Sequence, residues 1–111
     1  MTNILKYDVV IVKFPFASSL KYKARPAVVV SSNEYNSNKR DTLLILAISS
    51  AFENKLNFEA ELEDWKVTGL LKPSIFKAAI ATIEKEFVIS KIGTLSTVDK
   101  NKLEKMVGLI C

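Results

Sequence analysis

The sequence predicts a small, mainly β domain, a single antiparallel sheet or barrel with one C-terminal helix packed on it. The chain has 111 residues, which is enough for one domain with one hydrophobic core. Short apolar runs rich in Val and Ile alternate with polar segments, as in all-β folds. The C-terminal stretch carries apolar residues at helical spacing. We therefore expect one domain, residues 1–111, without an internal linker or repeat.

The first half of the chain predicts three strands, at residues 7–14, 27–31 and 42–48, because each is an apolar run rich in β-branched residues or Leu. Residues 15–24 are polar and contain proline, which predicts an exposed loop. Arg25 and Pro26 then open the second strand. Ser31 with Glu34 three residues later has the spacing of a capping box, which predicts a short helical turn.

The second half predicts two further strands. Residues 57–63 alternate, with Phe58 on the apolar face and Glu59 on the polar face, so we expect a half-buried strand. Residues 70–82 predict one longer strand that is bent or entered at Pro73, with a helix as the alternative. Residues 87–89 fit either a strand or a short helix.

The C-terminal segment predicts a helix. Ser96 followed by Asp99 is typical of a helix N-terminus, where a side-chain oxygen caps free backbone N–H groups and an acid is favoured. The following apolar residues form one stripe, which we expect to pack against the sheet: Leu103, Met106, Val107 and Ile110.

Composition narrows the possible chemistry. The formal charge of +4 permits a polyanionic partner without requiring one. The one cysteine, Cys111, excludes an intramolecular disulfide, and no apolar run approaches the about 20 residues that span a bilayer, so we expect a cytoplasmic protein. The absence of histidine excludes Ser-His and Cys-His pairs, two-histidine acid–base catalysis and the usual zinc ligand sets. We expect no metal and no cofactor.

Four stretches occur in the order and spacing of a known family: Phe14-Pro15-Phe16, Arg25-Pro26-Ala27, a strand that ends in Ile48-Ser49-Ser50, and Gly69-Leu70-Leu71-Lys72-Pro73-Ser74. In this combination the chain resembles the MazF/PemK/Kid toxins of bacterial toxin–antitoxin pairs. The resemblance implies an SH3-like barrel and a homodimer that cuts single-stranded RNA without a metal. It also implies a cognate antitoxin that blocks the RNA groove, and repression of a shared promoter through contact with that antitoxin.

The resemblance implies two catalytic residues. Arg25 stands on the family's loop-to-strand Arg-Pro, where a guanidinium would stabilise the charge that builds on the scissile phosphate. Ser49 stands at the family's catalytic threonine and keeps its hydroxyl. The structural alternatives are an arginine paired with a surface carboxylate, and a serine at a strand end that bonds its own backbone.

The resemblance implies that the loop with Phe16, Ser18 and Ser19 lines the RNA groove. The further candidates for substrate binding are Lys21 and Lys23, Ser50 as a substitute for Ser49, and Lys77 and Thr82 as the polar residues of the alanine-rich strand. Phe16 would stack on a base, with core packing as its alternative. Lys21 and Lys23 would follow phosphates, with a solvated loop as theirs. The chain departs from the family by having alanines at 78 and 79, where many members carry an acid or an arginine. It also has Tyr7 where a Gly usually precedes the first strand's Asp.

These departures support a second hypothesis. A family member with weak or no cleavage would act as a binding module for nucleic acid and antitoxin in promoter autoregulation. Ser49 and the alanines favour this alternative, and Arg25 opposes it.

Overall fold

The fold is built on one five-stranded antiparallel sheet with the strand order β4-β3-β2-β1-β5. The computed structural model describes residues 3–15 and 22–111. The strands are β1 Asp8–Pro15, β2 Tyr22–Val29, β3 Thr42–Ser49, β4 Ile75–Glu84 and β5 Val88–Thr94. A 3₁₀ turn, Tyr35–Ser37, precedes β3, a second, Lys85–Phe87, precedes β5, and helix α1 spans Thr97–Ile110. The predicted mainly β antiparallel fold with its C-terminal helix is confirmed. In the described chain, β4 and β5 are the edges of an open sheet.

Alternation along the strands gives the sheet two apolar faces, because successive side chains of a strand point to opposite sides. The helix face packs against Leu103 and Met106 of α1. Its strand residues are Val9, Val28, Leu46, Ile48 and Phe76. The far face holds a second buried cluster made by Val10, Val12, Ala27, Val29, Leu43, Ile45 and Ile83, with Ile4 from the N-terminal segment.

Helix α1 begins as its sequence predicts. The Ser96 hydroxyl accepts a hydrogen bond from the Asp99 backbone N–H at 3.2 Å. The Asp99 carboxylate, fully buried, accepts hydrogen bonds from the backbone N–H groups of Glu63 at 2.8 Å and Asp64 at 3.0 Å. Asp99 therefore anchors the helix N-terminus to the segment that precedes β4. Within the described residues, no helix has the length and apolar character needed to cross a membrane.

The strand predicted at residues 57–63 is wrong. Only an isolated bridge between Glu61 and Ile75 forms there. Two backbone hydrogen bonds flank it, from the Phe76 N–H to the Ala60 carbonyl at 2.8 Å and from the Leu62 N–H to the Ser74 carbonyl at 2.9 Å. Phe58 is 40% exposed and Glu59 is 3% exposed, the reverse of the predicted alternation. The reason is that the Glu59 carboxylate bonds to backbone N–H groups, which draws this side chain inward.

Other element boundaries differ from the predicted ones. Strand β2 begins at Tyr22, three residues before Arg25, because its start pairs with the end of β1. The segment predicted at 70–82 is a strand that begins at Ile75, after Pro73. The segment at 87–89 belongs partly to the second 3₁₀ turn and partly to β5.

The cap predicted at Ser31 is formed by its neighbour, Ser32. The Ser32 hydroxyl accepts from the Tyr35 N–H at 3.1 Å. The buried Ser31 hydroxyl instead donates to the Asn36 side chain and accepts from the Leu44 N–H at 3.1 Å, which joins the turn to β3.

Two glycines allow the turn before β4 to lie directly on β5. A Cβ added at Gly69, whose φ is +86°, would stand 2.4 Å from the Ile92 carbonyl oxygen. A Cβ added at Gly93 would stand 2.4 Å from the Thr68 carbonyl oxygen. Both obstacles are backbone atoms, so this close contact requires glycine on both sides.

Candidate active site on the far face of the sheet

Arg25 lies near the start of β2, opposite Val12 of β1 in the antiparallel register. Its side chain is exposed. None of the ion pairs among the described residues involves Arg25, so a surface carboxylate does not account for it there. An exposed guanidinium without such an ion pair can donate two parallel hydrogen bonds to an anionic ligand.

The register between β2 and β3 places Arg25 and Ser49 at the same end of their strands. The paired residues run from Val29 with Ile45 to Ala27 with Ala47. Continued for two residues beyond the Ala27 pair, this register would set Arg25 opposite Ser49. Alternation assigns both side chains to the far face, since Arg25 is two residues before the buried Ala27 and Ser49 is four after Ile45. An arginine and a hydroxyl 24 positions apart in sequence therefore lie on the same face of the sheet, just past the end of the paired stretch of β2 and β3.

Ser49 is the last residue of β3 and is half-buried. Its hydroxyl oxygen accepts a hydrogen bond from the Ala51 backbone N–H at 3.0 Å. The backbone contact considered from the sequence is therefore present. Because that contact uses a lone pair, the hydroxyl proton of Ser49 remains available for donation.

Three other predicted residues surround this pair. Lys23 is exposed on β2, two residues before Arg25 and on the same face. Ser50 is exposed and directly follows Ser49. Lys77 lies on β4, two residues after Ile75, which is paired with Ser49. The sheet therefore gathers Lys23, Arg25 and Lys77 at one end of its far face.

Glu59 is a buried carboxylate beside this end of β4 that the sequence did not identify. One of its oxygens accepts from the Leu56 N–H at 2.8 Å and the other from the Ala78 N–H at 2.8 Å. Burial acts to raise the pKa of Glu59, but these hydrogen bonds and the charges of Lys77 and Lys55 outweigh it, so the pKa is lowered. Glu59 thus provides a fixed negative charge near Lys77. The sequence gave no signal that Glu59 would be buried, because the predicted strand placed it on the same polar face as Glu61 and Glu63.

Thr82 is not brought to this cluster. It is exposed on β4 opposite Leu44, five residues along β3 from Ser49, or roughly 17 Å at the usual strand rise. Alternation assigns it to the helix face, one residue before Ile83 of the far face. Four predicted substrate-binding residues lie outside the described residues: Phe16, Ser18, Ser19 and Lys21.

The described ranges contain no group of three or more His, Cys, Asp or Glu side chains that could hold a metal ion. What the cluster offers is cationic and hydroxyl donors, which suit a phosphate-bearing ligand.

The fold is that of toxins whose structures have been solved. An endoribonuclease in complex with its cognate antitoxin from a mycobacterial species is similar over 99% of this chain and 94% of that one, with 16% identity and a TM-score of 0.75. The Mycobacterium tuberculosis toxin MazF-mt6 is similar over 93% of this chain and 94% of that one, with 20% identity and a TM-score of 0.73. A MazE–MazF structure from Deinococcus radiodurans gives 14% identity, a TM-score of 0.72, and coverage of 96% and 92%.

The family is shown by the sequence itself. A family model described as the PemK-like, MazF-like toxin of type II toxin–antitoxin systems matches residues 5–111. The chain therefore belongs to the PemK-like, MazF-like toxin family, as its motifs predicted. No curated protein matches it closely enough to count as a relative.

Proposed function

We propose that this chain is a metal-independent endoribonuclease toxin that cuts single-stranded RNA at specific short sequences. The observation that carries the proposal is the β2–β3 register. Continued two residues past the Ala27–Ala47 pair, it sets an exposed arginine, without an ion pair among the described residues, across from a hydroxyl donor. Membership in the toxin family and the endoribonuclease neighbours support the same chemistry.

The reaction needs no group on the protein to become covalently attached. The ribose 2′-hydroxyl oxygen attacks the adjacent phosphorus while the bond from phosphorus to the next nucleotide's 5′-oxygen breaks. The products are a 2′,3′-cyclic phosphate and a free 5′-hydroxyl. The attacking hydroxyl releases its proton to water, and the leaving oxygen takes a proton from water.

Arg25 acts on the charge that this attack creates. Negative charge builds on the phosphate oxygens in the transition state, and a guanidinium can donate two parallel hydrogen bonds to them. A guanidinium holds its proton too firmly to be an efficient general acid, so the role of Arg25 is electrostatic. Ser49 adds a neutral donor from the neighbouring strand. Lys23 and Lys77 hold the flanking phosphates.

The proposed partners follow from the same reasoning. A cognate antitoxin would cover the cationic end of the far face, as the mycobacterial and Deinococcus complexes include antitoxins of their own. Promoter DNA would be reached through that antitoxin. We propose a homodimer as the assembly and the cytoplasm as the location, where single-stranded RNA and a reducing environment for Cys111 are both found.

The binding-module alternative has one observation in its favour. The Ser49 hydroxyl is already bonded to the Ala51 N–H, and the neighbouring β4 positions Ala78 and Ala79 carry no polar group. In that case the chain would bind nucleic acid or antitoxin without cutting.

The test compares Arg25→Ala with the wild type on a long single-stranded RNA in excess chelator, with both product ends mapped. We expect discrete wild-type cuts with 5′-hydroxyl ends, and a loss of about 100- to 1,000-fold in rate for Arg25→Ala. Arg25→Lys should restore little, because an ammonium keeps the charge but loses the paired donors.

The matched control is Arg40→Ala. Arg40 is the other arginine of the chain, exposed just before β3 and therefore at the opposite end of that strand from Ser49. The Arg40→Ala variant should cut RNA at the wild-type rate. Equal rates for Arg25→Ala and the wild type would remove Arg25 from the mechanism. Activity lost in chelator and restored by Mg²⁺ would refute the metal-independent chemistry. RNA binding without any cutting would establish the binding-module alternative.

A further inference from the structure

Strand β4 contains a bulge beside the candidate active site. Ile48 of β3 is paired with Phe76, whereas Leu46 is paired with Ile80, so a step of two residues in β3 corresponds to a step of four in β4. Residues 77–79 of β4 therefore stand opposite a single residue of β3. A bulge bends its strand and changes the direction of the side chains that it carries, and bulges are frequent next to active sites.

Lys77 is the charged side chain of this bulge. It lies two residues after Ile75, which is paired with Ser49. In a regular antiparallel pair such diagonal neighbours lie about 7–8 Å apart on the same face. The register of β2 with β3, continued past its last pair, would set Arg25 on the other side of Ser49. How far the Lys77 ammonium reaches toward a ligand at this hydroxyl depends on the conformation of the bulge.

A carboxylate takes the place of a backbone carbonyl at the bulge. The Phe76 N–H donates to the Ala60 carbonyl at 2.8 Å, as in an antiparallel ladder. Two residues further along the same register, the Ala78 N–H would donate to the carbonyl of Phe58. It donates instead to the Glu59 carboxylate, at 2.8 Å. The ladder therefore ends where the bulge begins, and a side chain binds the backbone of the bulge.

The Glu59 carboxylate is itself held in place. Its other oxygen accepts a hydrogen bond from the Leu56 N–H at 2.8 Å, and the Glu59 N–H donates to the Leu56 carbonyl at 3.0 Å. The residue is only 3% exposed. Hydrogen bonds to an ionised acceptor are stronger than those between neutral groups. The backbone of the bulge is thus attached to a buried charge whose position is set by the turn at 56–59.

Glu59 acts on Lys77 through space without forming an ion pair with it. The ammonium groups of Lys77 and Lys55 lie within electrostatic range of the Glu59 carboxylate. None of the ion pairs in the part of the chain that the structure describes joins Glu59 to either lysine. The charge of Glu59 therefore restrains the Lys77 ammonium while leaving its N–H groups to donate to a ligand.

We propose that Glu59 is a positioning residue for the RNA site: by holding the β4 bulge at the Ala78 N–H, it sets Lys77 to bind a phosphate next to the scissile one. This inference rests on the proposed function for the nature of the ligand. Glu59 does not touch the RNA, because it is buried and its two oxygens are bonded to the backbone. A purely structural carboxylate would instead stabilise the fold without affecting the affinity for RNA.

The test measures binding without cutting. Fluorescence anisotropy follows the binding of a mixed-sequence oligonucleotide whose 2′-O-methyl groups block the attacking hydroxyl, over a range of salt concentrations at which circular dichroism shows each variant to be folded. One phosphate contact on a single strand contributes about 0.7 to the slope of log affinity against log salt, or about fivefold at about 0.1 M salt. We expect Lys77→Ala to lose this contribution in both affinity and slope.

Glu59→Gln should change binding in the same direction, by up to the same amount. Removing a negative charge near a site for a polyanion would by itself strengthen binding. Weaker binding with a shallower salt slope would therefore show that Lys77 has lost its position. In a Lys77→Ala background, Glu59→Gln should cause no further loss of affinity, because the side chain that Glu59 positions is already absent.

The matched control is Asp99→Asn. Asp99 is also buried, and it too accepts hydrogen bonds from two backbone N–H groups of the segment before β4. Asp99→Asn should destabilise the chain and leave the affinity and salt slope of the folded protein unchanged. On unmodified RNA, Glu59→Gln should raise KM more than it lowers kcat, because Lys77 would bind a phosphate equally in the ground state and the transition state.

Three results would overturn the proposal: unchanged or tighter binding by Glu59→Gln, additive effects of the Glu59 and Lys77 substitutions, or an equal loss of affinity in Asp99→Asn. The binding and cleavage readouts separate this inference from the proposed function. A chain with the expected coupling in binding that cuts no RNA would contradict the proposed function alone. A chain that cuts RNA without the coupling would contradict this inference alone, and a wild type that binds no oligonucleotide would overturn both.

Discussion

Tyr7 adopts a backbone conformation that L-residues rarely use. Its φ is 75°, which costs a non-glycine residue about 1–2 kcal/mol. Its ring compensates: the hydroxyl donates to Glu104, and the ammonium groups of Lys6 and Lys100 lie 5.1 and 5.3 Å from the ring centre. The positive φ explains why the family usually has glycine at this position. The contacts of the Tyr7 ring explain how this chain can have a tyrosine there instead.

This conformation reverses the usual order of glycine and alanine. Both Tyr7→Ala and Tyr7→Gly lose the ring, but only glycine is free of strain at this φ, so we expect Tyr7→Gly to be more stable than Tyr7→Ala by about 1 kcal/mol. Urea unfolding measures the difference. At Leu5, which is not among the positive-φ residues, alanine should be the more stable of the two. The same order at both positions would contradict the strain argument.

Glu59 predicts a pH dependence of stability. Its pKa is lower in the folded chain than the usual value of about 4.3, so its contribution is full above that value and is lost as pH falls through the folded pKa. We expect Glu59→Gln to be less stable than the wild type at pH 7, with the two free energies of unfolding converging in acid. Urea unfolding of both from pH 7 to about 3 tests this. Parallel curves would show that the charge of Glu59 is not what matters.

At the scale of elements, the turn before β4 is held to β5 by backbone contact. Gly93→Ala would drive a Cβ into the backbone carbonyl of Thr68 in the turn, and β5 cannot move away without breaking its pairing with β1. We expect a loss of at least about 2 kcal/mol in the free energy of unfolding. Gly108→Ala in α1 is the control. Nothing lies within 4 Å of its added Cβ, so alanine should stabilise that helix by about 0.5–1 kcal/mol. Similar effects at both sites would mean that the close contact is absent in solution.

The elements show what could be read from the sequence. Strands β1 and β3 follow from continuous β-branched and leucine runs, and α1 follows from its cap and stripe. The prediction at 57–63 was wrong because this segment alternates as a strand does. The position of Glu59 is instead set by hydrogen bonds from two backbone N–H groups, one of them 19 residues away at Ala78. The order of polar and apolar residues along the chain does not predict such long-range hydrogen bonds.

The site was partly predictable for a similar reason. Arg25 and Ser49 could be named from the motifs, and their placement at the same end of the far face follows from the β2–β3 register. The separation of Thr82 from them could not be foreseen. It depends on the register of β3 with β4, which sets Thr82 opposite Leu44 and Ile75 opposite Ser49. The sequence of either strand alone does not determine that register.

For the whole molecule, the sequence patterns correctly predicted a mainly β antiparallel sheet with a packed C-terminal helix. They did not predict two separate cores, one on each face of the sheet. The second core arises because strands β1, β2 and β3 are apolar on both faces. The open β4 edge was also unforeseen, because strand order depends on contacts between distant parts of the chain.

The pairing of β1 between β2 and β5 has a consequence for synthesis. A ribosome makes the chain from its N-terminus at about 5–20 residues per second, so β1 waits with one side unpaired until β5 has emerged. Tyr7 waits longer still, since its hydroxyl bonds Glu104 in the last helix. The sheet that carries Arg25 and Ser49 is therefore finished only after residue 94, the end of β5, has been made. The strands that carry these two residues reach their final environment later than their own place in the chain would suggest.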